Sequence, residues 1–84
     1  MKSLTVLEIL DDRTGLQFHV ALDDDGTPYW IGHIGHGIED AVPMQAAHAS
    51  EALALIEAGT LVPDGPRYVP AAALVLTLYR RPSQ

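Results

Sequence analysis

Hydrophobic and polar residues alternate along the chain in short runs, separated by turns rich in glycine, proline and aspartate. The longest nearly unbroken apolar run is Ala72 to Tyr79, which lies between Pro70 and Pro82. Its leucine, β-branched and aromatic residues suit a strand better than a helix, which usually needs more length. Because neither face of this strand is charged, we expect it to lie inside a sheet or in a subunit contact.

Three earlier runs also predict strands. Ser3 to Leu10 is semi-apolar on both faces, and Leu16 to Leu22 alternates in the way typical of a half-buried antiparallel strand. The turn at Asp11 to Gly15 predicts that these two strands form a hairpin with a short loop. Tyr29 to Ile34 predicts a third strand, and the glycines that follow predict that it bulges or frays near His33 to Gly37.

One helix is predicted in the second half of the chain. Ser50 is expected to be its N-cap, Glu51 to lie in its first turn and Gly59 to end it. The preceding segment, Ile38 to Ala47, predicts either a short edge strand or a helix that begins at Pro43. Apolar residues recur in the helix at i, i+3, i+4 and i+7, and this stripe should pack on one face of the sheet: Ala49, Ala52, Leu53 and Ile56.

Together these elements predict a single small α+β domain, residues 1–84. Its antiparallel or mixed sheet has about four strands in the chain order β-β-β-α-β, with one helix packed on one face. A turn at Pro63 to Pro66 leads into the last strand, Arg67 to Tyr79, which is broken near Pro70. We expect the first and last strands to be central neighbours, in the sheet order 3-2-1-4.

The outline, a meander of strands before a helix, resembles several small domains, including the antitoxin halves of toxin–antitoxin pairs. No sequence motif accompanies this resemblance, and no family is assigned from it.

Length and composition narrow the class of protein. A chain of 84 residues buries only roughly 60 to 65% of the surface that its unfolded form exposes, so a second copy would add apolar burial, and a homodimer is expected. The absence of cysteine excludes disulfides and thiolate metal sites and suits a reducing compartment. Without a signal-peptide pattern or a long apolar run, the sequence predicts a soluble, cytoplasmic protein with no membrane partner.

Charge is distributed unevenly. The basic residues are Lys2, Arg13, Arg67, Arg80 and Arg81, so the interval between Thr14 and Pro66 contains none. Eight carboxylates lie in that interval: Asp23, Asp24, Asp25, Glu39, Asp40, Glu51, Glu57 and Asp64. An acidic surface repels phosphate backbones, which disfavours direct binding of nucleic acid. The expected partner is therefore a protein with a basic surface.

Five residues are predicted to bind that partner. Asp23, Asp24 and Asp25 form the densest acidic cluster, on the turn before the third strand. Tyr29 and Trp30 are adjacent, so in a regular strand one of the two rings lies outside the helix-covered core. Such a ring beside acidic residues is a reasonable anchor for a protein partner. The alternative is a ring that lies flat over neighbouring strand residues.

A second candidate site is a glycine-rich segment with two histidines. His33 and His36 could approach one metal ion, with Glu39, Asp40 or His48 as a further ligand. Imidazole and carboxylate ligands suit zinc or nickel. However, the spacing matches no established metal motif, and the simpler alternative is that both histidines face water. No cofactor is predicted beyond this zinc or nickel hypothesis.

Catalysis is not predicted. No serine has a recognisable nucleophile elbow or a base partner, and the glycine-rich segment lacks the lysine and the helix of a phosphate-binding loop. The sequence therefore favours a small acidic non-enzymatic protein that binds another protein, as a regulator, inhibitor or antitoxin-like module. The alternative hypothesis is a small metal- or ligand-binding protein that uses His33 and His36.

Overall fold

A computed structural model describes residues 4–11, 18–34 and 37–82, which form an open five-stranded antiparallel sheet and two helices. The elements in chain order are α1 Val6–Leu10, β1 His19–Leu22, β2 Pro28–Ile34, β3 Ile38–Pro43, α2 Ala46–Glu57, β4 Val62–Val69 and β5 Leu74–Arg80. The strands lie in the order β3-β2-β1-β5-β4. This architecture confirms the predicted α+β class, with one more strand and one more helix than expected. None of the helices described is long and apolar enough to cross a membrane.

The segment predicted as the first strand contains α1, so both that strand and its hairpin were wrong. Thr5 caps the helix: its hydroxyl accepts the N–H of Glu8 at 3.1 Å, and the Glu8 carboxylate accepts the N–H of Thr5 at 2.9 Å. Glu51 of α2 accepts a third N–H, that of Val6, at 3.0 Å. Because these carboxylates satisfy N–H groups that a helix leaves free at its start, they stabilise a helix in a segment whose apolar pattern also suits a strand.

The apolar run near the carboxyl end belongs to a hairpin and not to one broken strand. β4 and β5 pair antiparallel, and the chain reverses at residues 70–73, where Ala73 adopts a φ of +54°. The predicted turn at Pro63 to Pro66 is a register irregularity within β4, with Gly65 at a φ of +98°. β5 lies beside β1. The predicted order 3-2-1-4 was therefore wrong, because the segment expected next to the last strand is helical.

The sheet bends around one of its faces, here called the inner face. Arg67 of β4 and Glu39 of β3 form an ion pair at 2.9 Å, although these strands are the two edges of the sheet. In a flat sheet four strand spacings would separate them by about 19 Å. The bend lets the inner face bury its own side chains without a covering helix: Ala21, Ile31, Val69, Leu76 and Leu78 are all buried there.

Both helices pack on the opposite face, here called the helix face. Its buried residues come from four elements or their flanks and meet in one cluster: Val6, Val20, Ala52 and Leu61. Leu55 and Ile56 of α2 pack against this cluster, whereas Leu53 is 42% exposed. The predicted stripe was therefore right at Ala52 and Ile56 and wrong at Leu53.

The start of α2 also differs from the prediction. The N-cap is Gln45, which makes no side-chain cap, and Ser50 lies inside the helix. Residues 38–43 form an edge strand, the first of the two alternatives, and Pro43 ends that strand. At the other end the prediction was right: α2 ends at Glu57, and Gly59 takes a left-handed φ of +78° just beyond the C-cap.

Gly32 provides space for an aromatic ring. A Cβ at this position would lie 2.6 Å from Cδ1 of Phe18, so the ring of Phe18 fits against the strand only because residue 32 has no side chain. β2 stays paired with β3 up to Ile34, so its described part does not fray. Of the segment expected to bulge, residues 35 and 36 lie outside the described residues, as do residues 12–17 of the first predicted hairpin.

We predict that Gly32→Ala lowers the free energy of unfolding by about 1 to 3 kcal/mol, because the added methyl overlaps the ring of Phe18. Urea denaturation measures this change. Phe18→Leu should remove most of the added cost of Gly32→Ala, because the two residues are in contact and their effects are then not additive. A Gly32→Ala protein as stable as the original would show that the ring does not depend on this glycine.

Candidate protein-binding groove

An open apolar groove lies on the helix face, between α1 and the edge strand β3. Its volume is about 250 Å³. Its walls come from α1, from the residue before β1 and from strands β2 and β3: Ile9, Phe18, Trp30, Gly32, Asp40 and Val42. We call this site the β3 groove. Val42 on its outer wall is 51% exposed, so the groove is open at the edge of the sheet.

The register of the sheet places the lining residues together. Trp30 and Gly32 share a face of β2, and the antiparallel pairing sets Val42 opposite Trp30 and Asp40 opposite Gly32. α1 has five residues and is therefore only about 7.5 Å long, too short to reach across both outer strands. The groove is the part of the helix face that the short helix leaves uncovered.

The indole of Trp30 is held between two other rings. Phe18 meets it edge to face with ring centroids 6.0 Å apart, and His48 of α2 does so at 5.9 Å. Nε2 of His48 also lies 2.9 Å from the carbonyl oxygen of Leu4, just before α1. These contacts fix the indole before any partner arrives, which lowers the entropy cost of binding to it.

Asp40 protects the free edge of β3. The N–H of Met44 donates to the carbonyl oxygen of Pro28 at 3.3 Å, which fixes the hydrogen-bonding pattern between β2 and β3. The backbone N–H and C=O groups of even-numbered β3 residues point toward β2, and those of odd-numbered residues point toward the free edge of the sheet. The N–H of Ala41 thus points outward, and Oδ1 of Asp40 accepts it at 2.8 Å. The next outward position is Pro43, which has no N–H. This edge therefore offers few donors to an additional strand.

The groove continues along β3 as a row of side chains on the helix face. Ile38, Asp40 and Val42 alternate along the strand, and Ile38 is 52% exposed. The surface thus consists of two exposed aliphatic side chains with one half-buried carboxylate between them.

The structure places the predicted partner-binding residues at three locations: the β1–β2 turn, the inner face and the β3 groove. Oδ1 of Asp23 accepts the N–H groups of Asp25 at 2.9 Å and of Thr27 at 2.8 Å, so this carboxylate holds the β1–β2 turn. The side chains of Asp24 and Asp25 are exposed on that turn. Tyr29 packs against the inner-face cluster.

Trp30, the remaining predicted residue, is partly buried and lines the β3 groove. Residues Ile9, Phe18 and Val42 were not predicted as site residues. One sequence signal could have predicted the groove: Trp-x-Gly in β2, together with alternating apolar and acidic residues in β3. A glycine two residues from an aromatic residue lies on the same face of the strand and leaves space beside the ring.

The acidic interval is partly neutralised by arginines from outside it. Within the interval, Glu39 is paired with Arg67 at 2.9 Å and Asp64 with Arg80 at 3.1 Å. Just before the interval, Asp11 is paired with Arg81 at 2.9 Å. Each such surface pair contributes at most about 1 kcal/mol to stability, but each removes a charge from the field that a partner meets. The negative surface is therefore less uniform than the sequence alone indicates.

The residues of the metal hypothesis are not gathered at one place. His33 is exposed on β2 and lies opposite Glu39, which already binds Arg67. Asp40 and His48 are on the helix face, the opposite side of the sheet from His33. His36 lies outside the described residues. Within 4–11, 18–34 and 37–82, no three histidine or acidic side chains come close enough to hold a metal ion.

We predict that replacing His33 and His36 together by alanine changes the free energy of unfolding by no more than about 0.5 kcal/mol, because His33 is exposed and makes none of the described ion pairs. Thermal unfolding with and without a chelator measures this, together with metal analysis of protein purified without a histidine tag. Near-stoichiometric zinc or nickel in the original protein, lost in the double variant, would instead support the metal hypothesis.

Comparison with protein-family models, with curated proteins and with solved structures gives no match for this chain.

Proposed function

We propose that this protein acts by binding another protein, as a small acidic module without catalytic activity. The observation that supports this most is the β3 groove, an open apolar site next to exposed aliphatic side chains on an edge strand. Exposed apolar surface costs a small domain stability and solubility, and contiguous patches of it commonly mark sites of interaction. A regulator, inhibitor or antitoxin-like role is consistent with such a module.

The size of the groove favours a protein partner over a small-molecule ligand. Its volume of about 250 Å³ is below the roughly 300 to 1,000 Å³ of sites that enclose a small molecule or cofactor. One or two side chains of a partner would fill it. Asp40 is the only titratable side chain among the described lining residues, whereas catalysis generally needs at least a nucleophile and a base.

The charge supports a basic partner. The formal net charge is −6, and Asp24 and Asp25 are exposed on the β1–β2 turn. Such a field attracts a positively charged surface and speeds its association, with an effect that falls as salt rises. The same field disfavours nucleic acid as a direct partner.

A homodimer remains a separate proposal. Tyr68 and Val75 are paired across β4 and β5, and both are mostly exposed on the helix face. This pair, and not the β3 groove, is the surface on which a second copy would bury apolar area. Leu76, on the strand first considered for a subunit contact, is buried within the chain. Cytoplasmic location is proposed on the absence of cysteine.

The alternative function, binding of zinc, nickel or a ligand at His33 and His36, has less support. Of the further ligands considered, Asp40 and His48 lie on the opposite face of the sheet from His33, and Glu39 is paired with Arg67, so the site would need residues outside the described ranges.

Site-specific photocrosslinking tests the proposed function. We expect p-benzoylphenylalanine in place of Val42 to form a covalent adduct with one or a few basic proteins in cells of the source organism. The control places the same residue at Val75, which lies on the helix face outside the groove and is 59% exposed, against 51% for Val42. Mass spectrometry identifies the adducts.

Adducts from Val42 that are absent from Val75 would support the proposal. No adduct from Val42, or the same set of adducts from both positions, would contradict it. An adduct of twice the chain's mass would show that a second copy fills the groove.

A further inference from the structure

We infer that the β3 groove binds an amphipathic, basic α-helical segment of its partner; this inference rests on the proposed function. In this arrangement one apolar side chain of the segment enters the groove over Trp30 and Val42. A lysine or arginine then reaches Asp40, and a second apolar side chain lies on Ile38. The inference combines the spacing of the β3 side chains, the protected strand edge and the position of the carboxylate.

The spacing of the strand matches that of a helix. Alternate side chains on one face of a strand are about 6.6 Å apart, so Ile38, Asp40 and Val42 span about 13 Å. Residues four apart on a helix are about 6 Å apart along its axis, and residues eight apart about 12 Å. A segment with an apolar residue at i, a basic residue at i+4 and an apolar residue at i+7 or i+8 would therefore face all three.

A helix fits better than an added strand. Strand addition needs free N–H and C=O groups along the edge, but the N–H of Ala41 is bonded to Asp40, and Pro43 has none. At the opposite edge of the sheet, β4 contains Pro63 and Pro66 and an irregular register. The groups of β3 that a partner can contact are therefore mainly its side chains and not its backbone. Contact through side chains is how a groove binds a helix.

Asp40 is the charge that selects a basic segment. Its Oδ1 accepts the N–H of Ala41, while Oδ2 has no bond to another described residue, and no lysine or arginine of the described residues lies within ion-pair distance. Half-burial between two aliphatic side chains strengthens its interaction with a cation relative to the exposed aspartates of the β1–β2 turn.

The first test determines which kind of peptide the groove binds, and it does not require the partner to be known. A displayed library of helix-forming peptides that lack tryptophan is panned on the full chain, with Val42→Asp as the counter-selection target. We expect enrichment of peptides with an apolar residue at i, lysine or arginine at i+3 or i+4, and an apolar residue at i+7 or i+8. Val42 is exposed, so its substitution should leave the fold intact, which circular dichroism checks.

The second test measures binding of the best enriched peptide. Trp30 is the chain's single tryptophan, so its fluorescence reports occupancy of the groove directly. We expect Val42→Asp to weaken binding at least about tenfold and Asp40→Asn about fivefold, the latter equivalent to the roughly 1 kcal/mol of one partly exposed ion pair. The amide oxygen introduced by Asp40→Asn would still accept the N–H of Ala41, so the edge stays protected. Leu53→Asp, at an aliphatic side chain of α2 that is 42% exposed and does not line the groove, is the control and should bind within about twofold of the original.

Several results would overturn the inference. The first is that no peptide is enriched that binds the original chain but not the Val42→Asp protein. The others are enrichment of peptides without a basic residue, and binding by the Asp40→Asn protein that equals binding by the original. Dissociation of a dimer by Val42→Asp, seen by light scattering, would assign the groove to a second copy instead. If specific photocrosslinking from Val42 still succeeds in any of these cases, the proposed function stands and only the partner chemistry inferred here fails.

Discussion

The bend of the sheet is the constraint on which the rest of this structure depends. The two helices found in the described part of the chain are too few to cover both faces of the five-stranded sheet. Bending buries the inner face against itself, and the ion pair between Arg67 and Glu39 links the two edges across that face. Both helices are then available for the other face. They cover its centre but not its outer strands, and the β3 groove is one part of this face that neither described helix covers.

The short helix α1 sets the inner wall of that groove, and its position depends on α2. A five-residue helix is unstable by itself, since nucleation costs more than so few hydrogen bonds return. Here Glu51 of α2 accepts an N–H from its first turn, and His48 contacts the chain just before it. Because His48 also holds the ring of Trp30, one turn of α2 positions both the wall and the floor of the groove. The fold and the candidate site therefore share the same contacts.

The sequence predicts those features that follow from local periodicity. The glycine that ends α2 and the apolar run near the carboxyl end predict a helix end and a strand correctly, and the alternation before the aspartate turn predicts β1. The expectation of a half-buried strand was wrong, because Val20 and Ala21 are both buried and β1 is covered on both faces. The prediction for residues 3–10 was wrong because their apolar pattern suits both a strand and a helix. The helix is stabilised by the capping pair of Thr5 and Glu8 and by Glu51, which lies 43 positions beyond Glu8 in the sequence. Ser50 fails as a cap because α2 begins at Ala46 without any side-chain cap.

The candidate site was predicted less completely than the fold. The predicted residues include Trp30, which lines the groove, but the groove itself depends on the pairing of β2 with β3 and on the limited length of α1. Neither can be read from composition or spacing. The arginines that reduce the acidic field are distant in sequence from the carboxylates they contact, as Arg81 and Asp11 illustrate. Long-range register and charge pairing are therefore the physical information that local patterns lack.

The β3 groove is proposed as the place where a partner protein binds. Hydrogen exchange, measured by mass spectrometry on the chain with and without the protein captured from Val42, tests it most directly. We expect slower exchange on binding in α1 and β3, which flank the groove, and unchanged exchange in the β4–β5 hairpin. Protection confined to the β4–β5 hairpin, with α1 and β3 unaffected, would contradict it.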